Sequence, residues 1–426
     1  MEGAASATAS ASPLCPAMSE LNGGGAEEAP AGFLSSRGGR IAGNAKGLLD
    51  KAFDMYIGDP FDADHNPEGI LNFGTSENKL CFDLIQERVS LVSRELHRLL
   101  NCEIRISPSS SILVIDGYLI PAPYYGGINS KTWLYGGIQV TSTLGLVLKD
   151  SNVADSPVLR RHFGVSNYQF FFFQGIRVRA LILINPHNPL GDIYPAQLLK
   201  ECLEFAHRHT LHVIMDEIYM LSVYDDTTFT SILSLESLPD PERTHFMWGF
   251  SKDFGMCGIR VGVLYTRNHE IRKAVNQLAV FHGCPGPVQH VLSQFLSDRD
   301  WLNNVFFPTN KRRLKEAQNI LVSGLAEMGI PVLKSSGGLY VWADFRKFLK
   351  SQTFEAETDL WWKLLDEKLL ISPGKAFCCY EPGWFRLVFS DSVDKIYLCK
   401  SAFYKTVNIS FFSLPHPTSP RQYIFL

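Results

Sequence analysis

Lys252 and Arg260 lie eight positions apart in the glycine-rich segment G-F-S-K-D-F-G-M-C-G-I-R-V-G (249–262). Glycine lets a backbone approach a ligand closely, and a guanidinium is suited to binding a phosphate. Lys252 follows an apolar run on the other side of the turn, and phosphate binding does not explain a lysine at that position. A lysine amine can instead form a Schiff base with an aldehyde. The turn glycines are Gly255, Gly258 and Gly262.

Further polar side chains follow other predicted strands. They are Asn188 in N-P-H-N-P-L-G (185–191), Asp216 in D-E-I-Y (216–219), and Tyr124 and Tyr125 in P-A-P-Y-Y-G-G (121–127). Each has an ordinary explanation alone, because proline- and asparagine-rich segments form turns and acids begin helices. In α/β sheets, however, ligands bind beyond the carboxyl ends of the strands. The shared position therefore favours one site.

The combination of side chains is suited to pyridoxal 5'-phosphate. Lys252 supplies the amine for a Schiff base with the cofactor aldehyde. Asp216, with a usual pKa of about 4, stays ionised and can keep the pyridine nitrogen protonated, so that the ring accepts electrons. Asn188 and Tyr219 can donate hydrogen bonds to the phenolic oxygen of the ring. These four residues predict cofactor binding and, for Lys252, catalysis.

The remaining parts of the cofactor have candidate partners as well. Tyr125 or Tyr124 can stack on the pyridine ring. Arg260 and the turn glycines can bind the phosphate. Tyr125 is also predicted as a catalytic residue beside Lys252.

The elements around these residues predict an α/β fold. Apolar runs alternate with a helix-like segment that has apolar residues at helical spacing. Nearly continuous apolar strands are typical of a mostly parallel sheet with helices on both faces. The predicted strands are 118–121, 180–184, 211–217, 244–250 and 260–266, with a helix at 195–209.

The C-terminal third predicts a smaller α+β domain. Residues 271–330 are mostly helical in pattern, and the next strands surround one helix. The predicted strands are 330–333, 338–344 and 384–390, and the helix is near 355–368. The expected domains are a disordered tail (1–47), an N-terminal arm and small-domain segment (48–89), a large cofactor-binding domain (90–310), the small domain (311–400) and a divergent tail (401–426).

Several motifs resemble those of the fold-type I, class I/II aminotransferase family, in particular its 1-aminocyclopropane-1-carboxylate synthase-like branch. They are N-P-H-N-P-L-G, D-E-I-Y-M, S-K-D-F-G-M-C-G-I-R-V-G, Y-I-G-D-P-F-D (56–62), G-T-S-E-N-K-L-C-F-D-L-I (74–85) and G-W-F-R-L-V-F-S (383–390). The resemblance implies that Arg386 binds the α-carboxylate of the substrate, for which a guanidinium is suited. It also implies a substrate-binding role for Glu77 and a homodimer.

The chain departs from the family pattern in three places. Residues 90–116 are much shorter than the family's phosphate-binding region, and S-P-S-S-S (107–111) is either a phosphate turn or an ordinary serine-rich loop. Gly249 replaces a serine hydroxyl that binds phosphate in many members. Residues 141–175 and 400–426 lack the expected helical patterns. These departures predict a divergent or abnormally spliced member, truncated around 90–116.

Bulk composition narrows the function classes. A net charge of −3 gives no indication of a nucleic-acid or membrane-surface partner. No apolar run is long enough to predict a membrane span, and the N-terminus does not resemble a secretory signal. Nine cysteines without a C-x-x-C pair favour a reduced, cytoplasmic protein.

Three functions remain to be weighed. The first is a pyridoxal phosphate enzyme acting on an α-amino acid, with a 2-oxo acid as second substrate if it is a transaminase. The same site could instead form a cyclopropane amino acid from S-adenosylmethionine by γ-elimination. The second is a catalytically impaired homologue that serves as a binding or dimerisation module. The third, a nucleotide-binding protein, lacks both G-x-G-x-x-G and G-K-[S/T].

Overall fold

The description of the fold rests on a computed structural model that covers residues 47–99, 118–120, 123–125, 178–225 and 227–407. The strands are β1 (Leu71–Asn72), β2 (Tyr118–Leu119), β3 (Ala180–Ile184), β4 (His212–Asp216), β5 (Thr244–Gly249), β6 (Gly262–Thr266), β7 (Tyr340–Asp344), β8 (Leu369–Leu370), β9 (Ser372–Pro373) and β10 (Trp384–Val388). The helices are α1 (Leu48–Gly58), α2 (Phe82–Leu99), α3 (Ala196–Arg208), α4 (Phe250–Asp253), α5 (His269–His282), α6 (Gly286–Ser297), α7 (Arg299–Trp301), α8 (Phe307–Glu327), α9 (Phe354–Asp366) and α10 (Val393–Val407). A π-helical turn, Leu302–Phe306, joins α7 to α8.

The central sheet has the strand order β2-β3-β4-β5-β6 among the described residues. The first four strands run parallel, and β6 pairs antiparallel with β5. All five residues of β3 are buried, as expected for a central parallel strand covered on both faces. The predicted α/β class with a mostly parallel sheet is confirmed.

Helix α3 covers one face of this sheet. Its apolar residues recur at helical spacing and are buried against β3 and β4, so the helix keeps a polar face to solvent. The buried residues are Leu198, Leu199, Cys202, Leu203, Phe205 and Ala206. The helix lies within the predicted range 195–209.

The second unit is built on a three-stranded antiparallel sheet, β7-β10-β9. Helices α8, α9 and α10 contribute to its core, and Trp361 and Tyr340 are among its largest fully buried side chains. The N-terminal segment belongs to the same core, because β1 pairs in parallel with β8 and Phe73 is buried. Residues far apart in sequence therefore form one packed unit.

Two predicted boundaries in this unit are wrong. The strand expected at 330–333 is reduced to an isolated bridge between Val332 and Ala343, because Pro331 has no N–H to continue the pairing. The divergent tail expected from 401 begins as helix, since α10 continues to Val407. Ala402 and Phe403 are buried in the core, so this helix closes the second unit.

Some predictions concern residues outside the described ranges. These are the disordered tail up to residue 46, the serine-rich loop at 107–111, the pattern at 141–175 and the chain beyond 407. Across the described ranges, no helix combines the length and the apolar character that crossing a membrane requires.

Two histidines form a hydrogen-bonded pair at the opposite edge of the sheet from the strand ends discussed above. The ring nitrogens His212 Nδ1 and His245 Nε2 lie 2.8 Å apart, and His245 Nδ1 lies 2.8 Å from Thr266 Oγ1. Burial, followed by the neighbouring His212, lowers the pKa of His245 to about 4. Burial and then the charge of Arg243 lower the pKa of His212, and Asp240 opposes both shifts.

We expect this pair to lower the stability of the fold in acid. Because the pKa of His245 is lower in the folded chain, the unfolded chain takes up the proton first as pH falls below about 6.5. Stability is therefore lost between pH 6.5 and 4. His245→Gln should lose less stability than the wild type over this interval, by on the order of 2–3 kcal/mol. Urea unfolding at several pH values measures the difference.

His65→Gln is the control, because the His65 side chain is 87% exposed. Its pH profile should match that of the wild type. Identical profiles for His245→Gln and the wild type would contradict the conclusion that His245 causes the loss of stability in acid.

Candidate functional site

Three of the predicted residues meet because they end or follow neighbouring strands. Asn188 follows β3, Asp216 ends β4 and Lys252 follows β5, and these strands are adjacent and parallel. The carboxyl ends of parallel strands lie at one edge of a sheet, so the three side chains share that edge. The segment after β3 is held to β4 by a hydrogen bond from Asn185 N to Asp216 O (2.9 Å).

Arg386 reaches this edge from β10 of the second unit. Its Nη1 donates to Asn188 Oδ1 (3.1 Å) and its Nη2 donates to Gly74 O (2.5 Å). The guanidinium lies 5.2 Å from the Tyr340 ring and 4.8 Å from the Phe377 ring. The side chain is only 3% exposed.

The Arg386 guanidinium contacts only neutral groups among the described residues. No carboxylate forms an ion pair with it in the ranges that the structure describes, and its buried Nε has no hydrogen-bond partner there. Burial lowers its pKa, but a guanidinium stays protonated at neutral pH. A buried cation with an unused donor is suited to an anionic ligand such as a carboxylate.

Lys252 lies in the short helix α4 and is half-buried. Its Nζ donates to the backbone carbonyl oxygen of Ser76 (2.5 Å). Burial is the main cause that lowers its pKa, and the positive charge of Arg386 lowers it further, while Cys257, Glu77 and Asp216 oppose the shift. A lowered pKa increases the fraction of neutral, nucleophilic amine.

Asp216 differs from the sequence-based expectation. Burial raises its pKa to about 6, although Ile218 N donates to its Oδ1 (3.1 Å) and the charge of Lys252 favours the ionised form. The usual pKa of about 4 does not apply here, because the sequence does not show how much protein surrounds the carboxyl group. At neutral pH the carboxylate form still predominates.

Tyr219 lies three residues beyond Asp216, in the turn after β4. Its phenol oxygen is 3.1 Å from Ser76 Oγ, and its ring packs edge-on against Tyr340 at 5.4 Å. Burial raises its pKa to about 12, against the positive charge of Arg386. The phenol is therefore protonated and able to donate at neutral pH.

The structure separates the two tyrosines of P-A-P-Y-Y-G-G. Tyr124 is fully buried, and its backbone N donates to Phe377 O (2.8 Å). Tyr125 is 38% exposed, and its phenol is close enough to Arg386 and Tyr219 to affect the pKa of each. Tyr125 thus borders the site, whereas Tyr124 is fully buried next to Phe377.

Arg260 lies at the exposed end of the lysine-bearing turn. It adopts a left-handed backbone conformation, with φ of 55°, and its Nη1 donates to Cys257 O (3.1 Å). Its charge also acts on the Cys257 thiol, as does that of Lys252. The guanidinium thus stands on the Lys252 side of the site, without a contact to Asp216, Asn188 or Arg386 among the described residues.

Gly249 has little room for a side chain. A Cβ at this position would lie 3.0 Å from Val261 O and 3.2 Å from Ile218 Cδ1, so a serine here would require the backbone of the neighbouring segment to shift. The packing around position 249 therefore favours glycine over serine.

Glu77 belongs to a loop, residues 74–78, that crosses the strand ends. Ser390 Oγ donates to Glu77 O (2.7 Å), and the negative charge of Glu77 acts on both Lys252 and the Cys257 thiol. The residue is half-buried. Glu77 therefore lies near Lys252, but its contacts do not indicate which ligand it binds.

Sequence reasoning missed two residues that support the site. Ser76 and Gly74 supply the carbonyl oxygens bound by Lys252 and Arg386. Both lie in the quoted segment 74–85, but backbone acceptors leave no signature in side-chain identity, and Ser76 is 176 positions from Lys252.

Asp253 is a third residue that was missed. Its buried carboxylate accepts hydrogen bonds from Leu221 N (3.1 Å), Ser222 Oγ (2.8 Å) and Trp248 Nε1 (2.8 Å). Burial raises its pKa to about 7. An acid directly after Lys252, within a mostly apolar segment, was the available signal. Asp253 joins α4 to β5 and to the turn after Asp216, and so fixes the position of the lysine.

The comparisons with known proteins agree on a family. A family model for aminotransferase class I and II matches residues 164–400. The chain is similar to 1-aminocyclopropane-1-carboxylate synthase-like protein 1 of Bos taurus, with 42% identity over 417 residues that cover 86% of this chain and 81% of the relative. It is also 38% identical to the human protein named probable inactive 1-aminocyclopropane-1-carboxylate synthase-like protein 2, covering 82% of this chain and 69% of that one.

A solved structure supports the fold. Aspartate aminotransferase from Thermus thermophilus, determined with maleate, matches with a TM-score of 0.63 and 18% identity, covering 88% of this chain and 99% of that one. The predicted fold-type I architecture is confirmed.

We expect Gly255 to be required for the loop 74–78 to lie against the lysine-bearing turn. A Cβ at Gly255 would lie 2.2 Å from Asn78 O, and φ is +62°. Gly255→Ala should therefore lower the free energy of unfolding by more than about 1 kcal/mol. Gly258→Ala is the matched control, because no atom of the described residues lies within 4 Å of a Cβ there. Urea unfolding measures both variants, and equal effects would contradict the steric argument.

Proposed function

The chain belongs to the class I and II aminotransferase family, whose cofactor is pyridoxal phosphate, and we propose that it is an enzyme acting on an α-amino acid. The observation that carries the proposal is the convergence of four side chains on one edge of the sheet: Lys252, Asp216, Asn188 and Arg386. An amine, an acid, an amide and a buried guanidinium are the groups that this cofactor and an amino-acid substrate need together.

The donor set fits the cofactor. Lys252 would hold it covalently through the aldehyde, and Asp216 would bind the pyridine nitrogen, where a positive charge would lower the raised pKa of the carboxyl group. Asn188 and Tyr219 are the donors for the phenolic oxygen, and Tyr125 is the candidate for ring stacking. We assign the phosphate to Arg260 and to backbone N–H groups of its turn.

The residues of the chain divide the work on the substrate. When bound, the cofactor supplies an electron-accepting ring that stabilises negative charge at the substrate Cα. Arg386 would bind the substrate carboxylate through its guanidinium, replacing the neutral acceptors that it now contacts. Lys252 Nζ would remove the proton from Cα, because its lowered pKa favours the unprotonated amine that a general base requires.

We place a transaminase-type activity first and cyclopropane formation from S-adenosylmethionine second. Glu77 stands near Lys252 in either case, so it does not separate the two. Incubation with a 2-oxo acid acceptor or with S-adenosylmethionine, followed by product analysis, distinguishes them. We further propose that the active form is a homodimer.

A catalytically impaired homologue is the alternative. The name of the human relative, probable inactive, and the shortened segment 90–116 motivate it. The retention of the lysine, the acid and the arginine together favours activity, because a binding module would not need all three.

Lys252 should form a covalent adduct with the cofactor. Addition of pyridoxal phosphate to the purified chain should produce a visible absorbance band, and borohydride should trap the cofactor on Lys252, as located by mass spectrometry of peptides. Lys252→Ala should abolish both. Lys273→Ala, at an exposed lysine on α5, should change neither. A folded wild-type sample without a trapped adduct would exclude the enzyme hypothesis.

Arg386 should affect the substrate but not the attachment of the cofactor. Arg386→Lys loses the planar two-pronged contact to a carboxylate, so amino acids should perturb the visible band at about 10- to 100-fold higher concentration. Trapping on Lys252 should persist. Because Arg386 is buried, circular dichroism must first show that the variant is folded. Unchanged amino-acid affinity would mean that another group binds the carboxylate.

A further inference from the structure

We propose that Ser76 is a positioning residue that directs the hydrogen bond of Tyr219 toward the cofactor and holds the nitrogen of Lys252 beside it. The proposal rests on the proposed function, because it concerns the same site. It adds a residue that lies within the quoted segment 74–85 but to which neither that motif nor the strand-end rule assigns a role.

Ser76 forms hydrogen bonds with both Tyr219 and Lys252. Its hydroxyl oxygen lies 3.1 Å from the Tyr219 phenol oxygen, and its backbone carbonyl accepts from Lys252 Nζ at 2.5 Å. The side chain is 5% exposed, so water does not compete freely for its hydroxyl group. The two contacts use different atoms and can therefore be tested separately.

The position of Ser76 is set by its neighbours in the chain. Gly74 O accepts from Arg386, and Glu77 O accepts from Ser390 Oγ at 2.7 Å. Asn78 Nδ2 donates to Asn310 Oδ1 at 2.8 Å. These contacts fix the loop 74–78 on both sides of Ser76, so its hydroxyl group cannot move far from Tyr219.

The direction of the hydrogen bond decides what Tyr219 can do. Each hydroxyl has one proton to donate and two lone pairs to accept with. If Tyr219 donates to Ser76, its proton is used. If Ser76 donates to Tyr219, the phenol proton is free for the cofactor's phenolic oxygen, and the phenol becomes a stronger donor because hydrogen bonds in a chain polarise one another.

The surroundings favour Ser76 as the donor when the cofactor is bound. The positive charge of Arg386 stabilises negative charge on the Tyr219 oxygen, which makes the phenol a stronger donor toward an anionic oxygen of the ligand. An anionic oxygen on the ligand would attract the phenol proton away from Ser76. Among the residues that the structure describes, Asp216, Tyr125 and Tyr340 are the other titratable groups that act on Tyr219.

Removal of the Ser76 hydroxyl should change the spectrum of the cofactor attached to Lys252. A weaker Tyr219 donor stabilises the deprotonated form of the adduct less, so Ser76→Ala should raise the apparent pKa of the visible band by about 0.5–1 unit. Ser76→Thr keeps the hydroxyl and should restore the wild-type value. In a Tyr219→Phe background, Ser76→Ala should cause no further shift, because the group through which it acts is absent.

Ser390→Ala is the control for loosening of the loop. It removes the contact to Glu77 O without touching Tyr219, and its apparent pKa should shift less than that of Ser76→Ala, because Gly74 and Asn78 still hold the loop. An equal shift in Ser390→Ala, or an undiminished shift of Ser76→Ala in the Tyr219→Phe background, would overturn the proposal.

A measurement without cofactor separates this proposal from the proposed function. In the cofactor-free chain, the shift in urea midpoint caused by Ser76→Ala should be smaller in the Tyr219→Phe background than in the wild type, which reports their hydrogen bond directly. Additive effects would show that the contact is absent and would overturn the proposal. If the wild-type chain forms no trapped adduct but shows this coupling, the proposed function is rejected. The result then supports only the hydrogen bond between Ser76 and Tyr219.

Discussion

The buried guanidinium of Arg386 is the interaction on which the arrangement of the site depends. A charge removed from water is costly unless protein groups replace the lost hydrogen bonds. Here the replacements come from three separate parts of the chain: Asn188 after β3, Gly74 in the N-terminal loop, and the aromatic rings of Tyr340 and Phe377 in the second unit. Arg386 can therefore be buried only where the central sheet, the second unit and the N-terminal loop contact one another.

The same burial changes the acid–base properties of the catalytic candidates. It lowers the pKa of Lys252 and raises that of Asp216 to about 6, so both pKa values move toward neutral pH. Asp253 and Glu217 also have pKa values raised to about 7 by burial. Opposite shifts of an amine and an acid at one edge of a sheet are typical of a functional site, because a purely structural core would not retain so many ionisable groups.

The loop 74–78 connects this chemistry to the packing of the whole chain. It supplies backbone oxygens to Lys252 and Arg386, and Gly255 allows it to approach the lysine-bearing turn. Just beyond it, Lys79 Nζ forms an ion pair with Asp391 Oδ2 at 3.0 Å. An N-terminal segment that pairs with the second unit through β1 and β8 thereby becomes part of a site built on the central sheet.

The sequence by itself determined the local elements and the residues at their ends. Strand 180–184 has the predicted bounds, and Lys252, Asp216 and Asn188 were identified because apolar runs and strand ends are local properties of the chain. Only the tertiary structure decided that Tyr125 borders the site while Tyr124 is buried, that Ser76 contacts Lys252, and that Asp216 has a raised pKa. These properties depend on which distant segments surround a group, and neither composition nor periodicity specifies that environment.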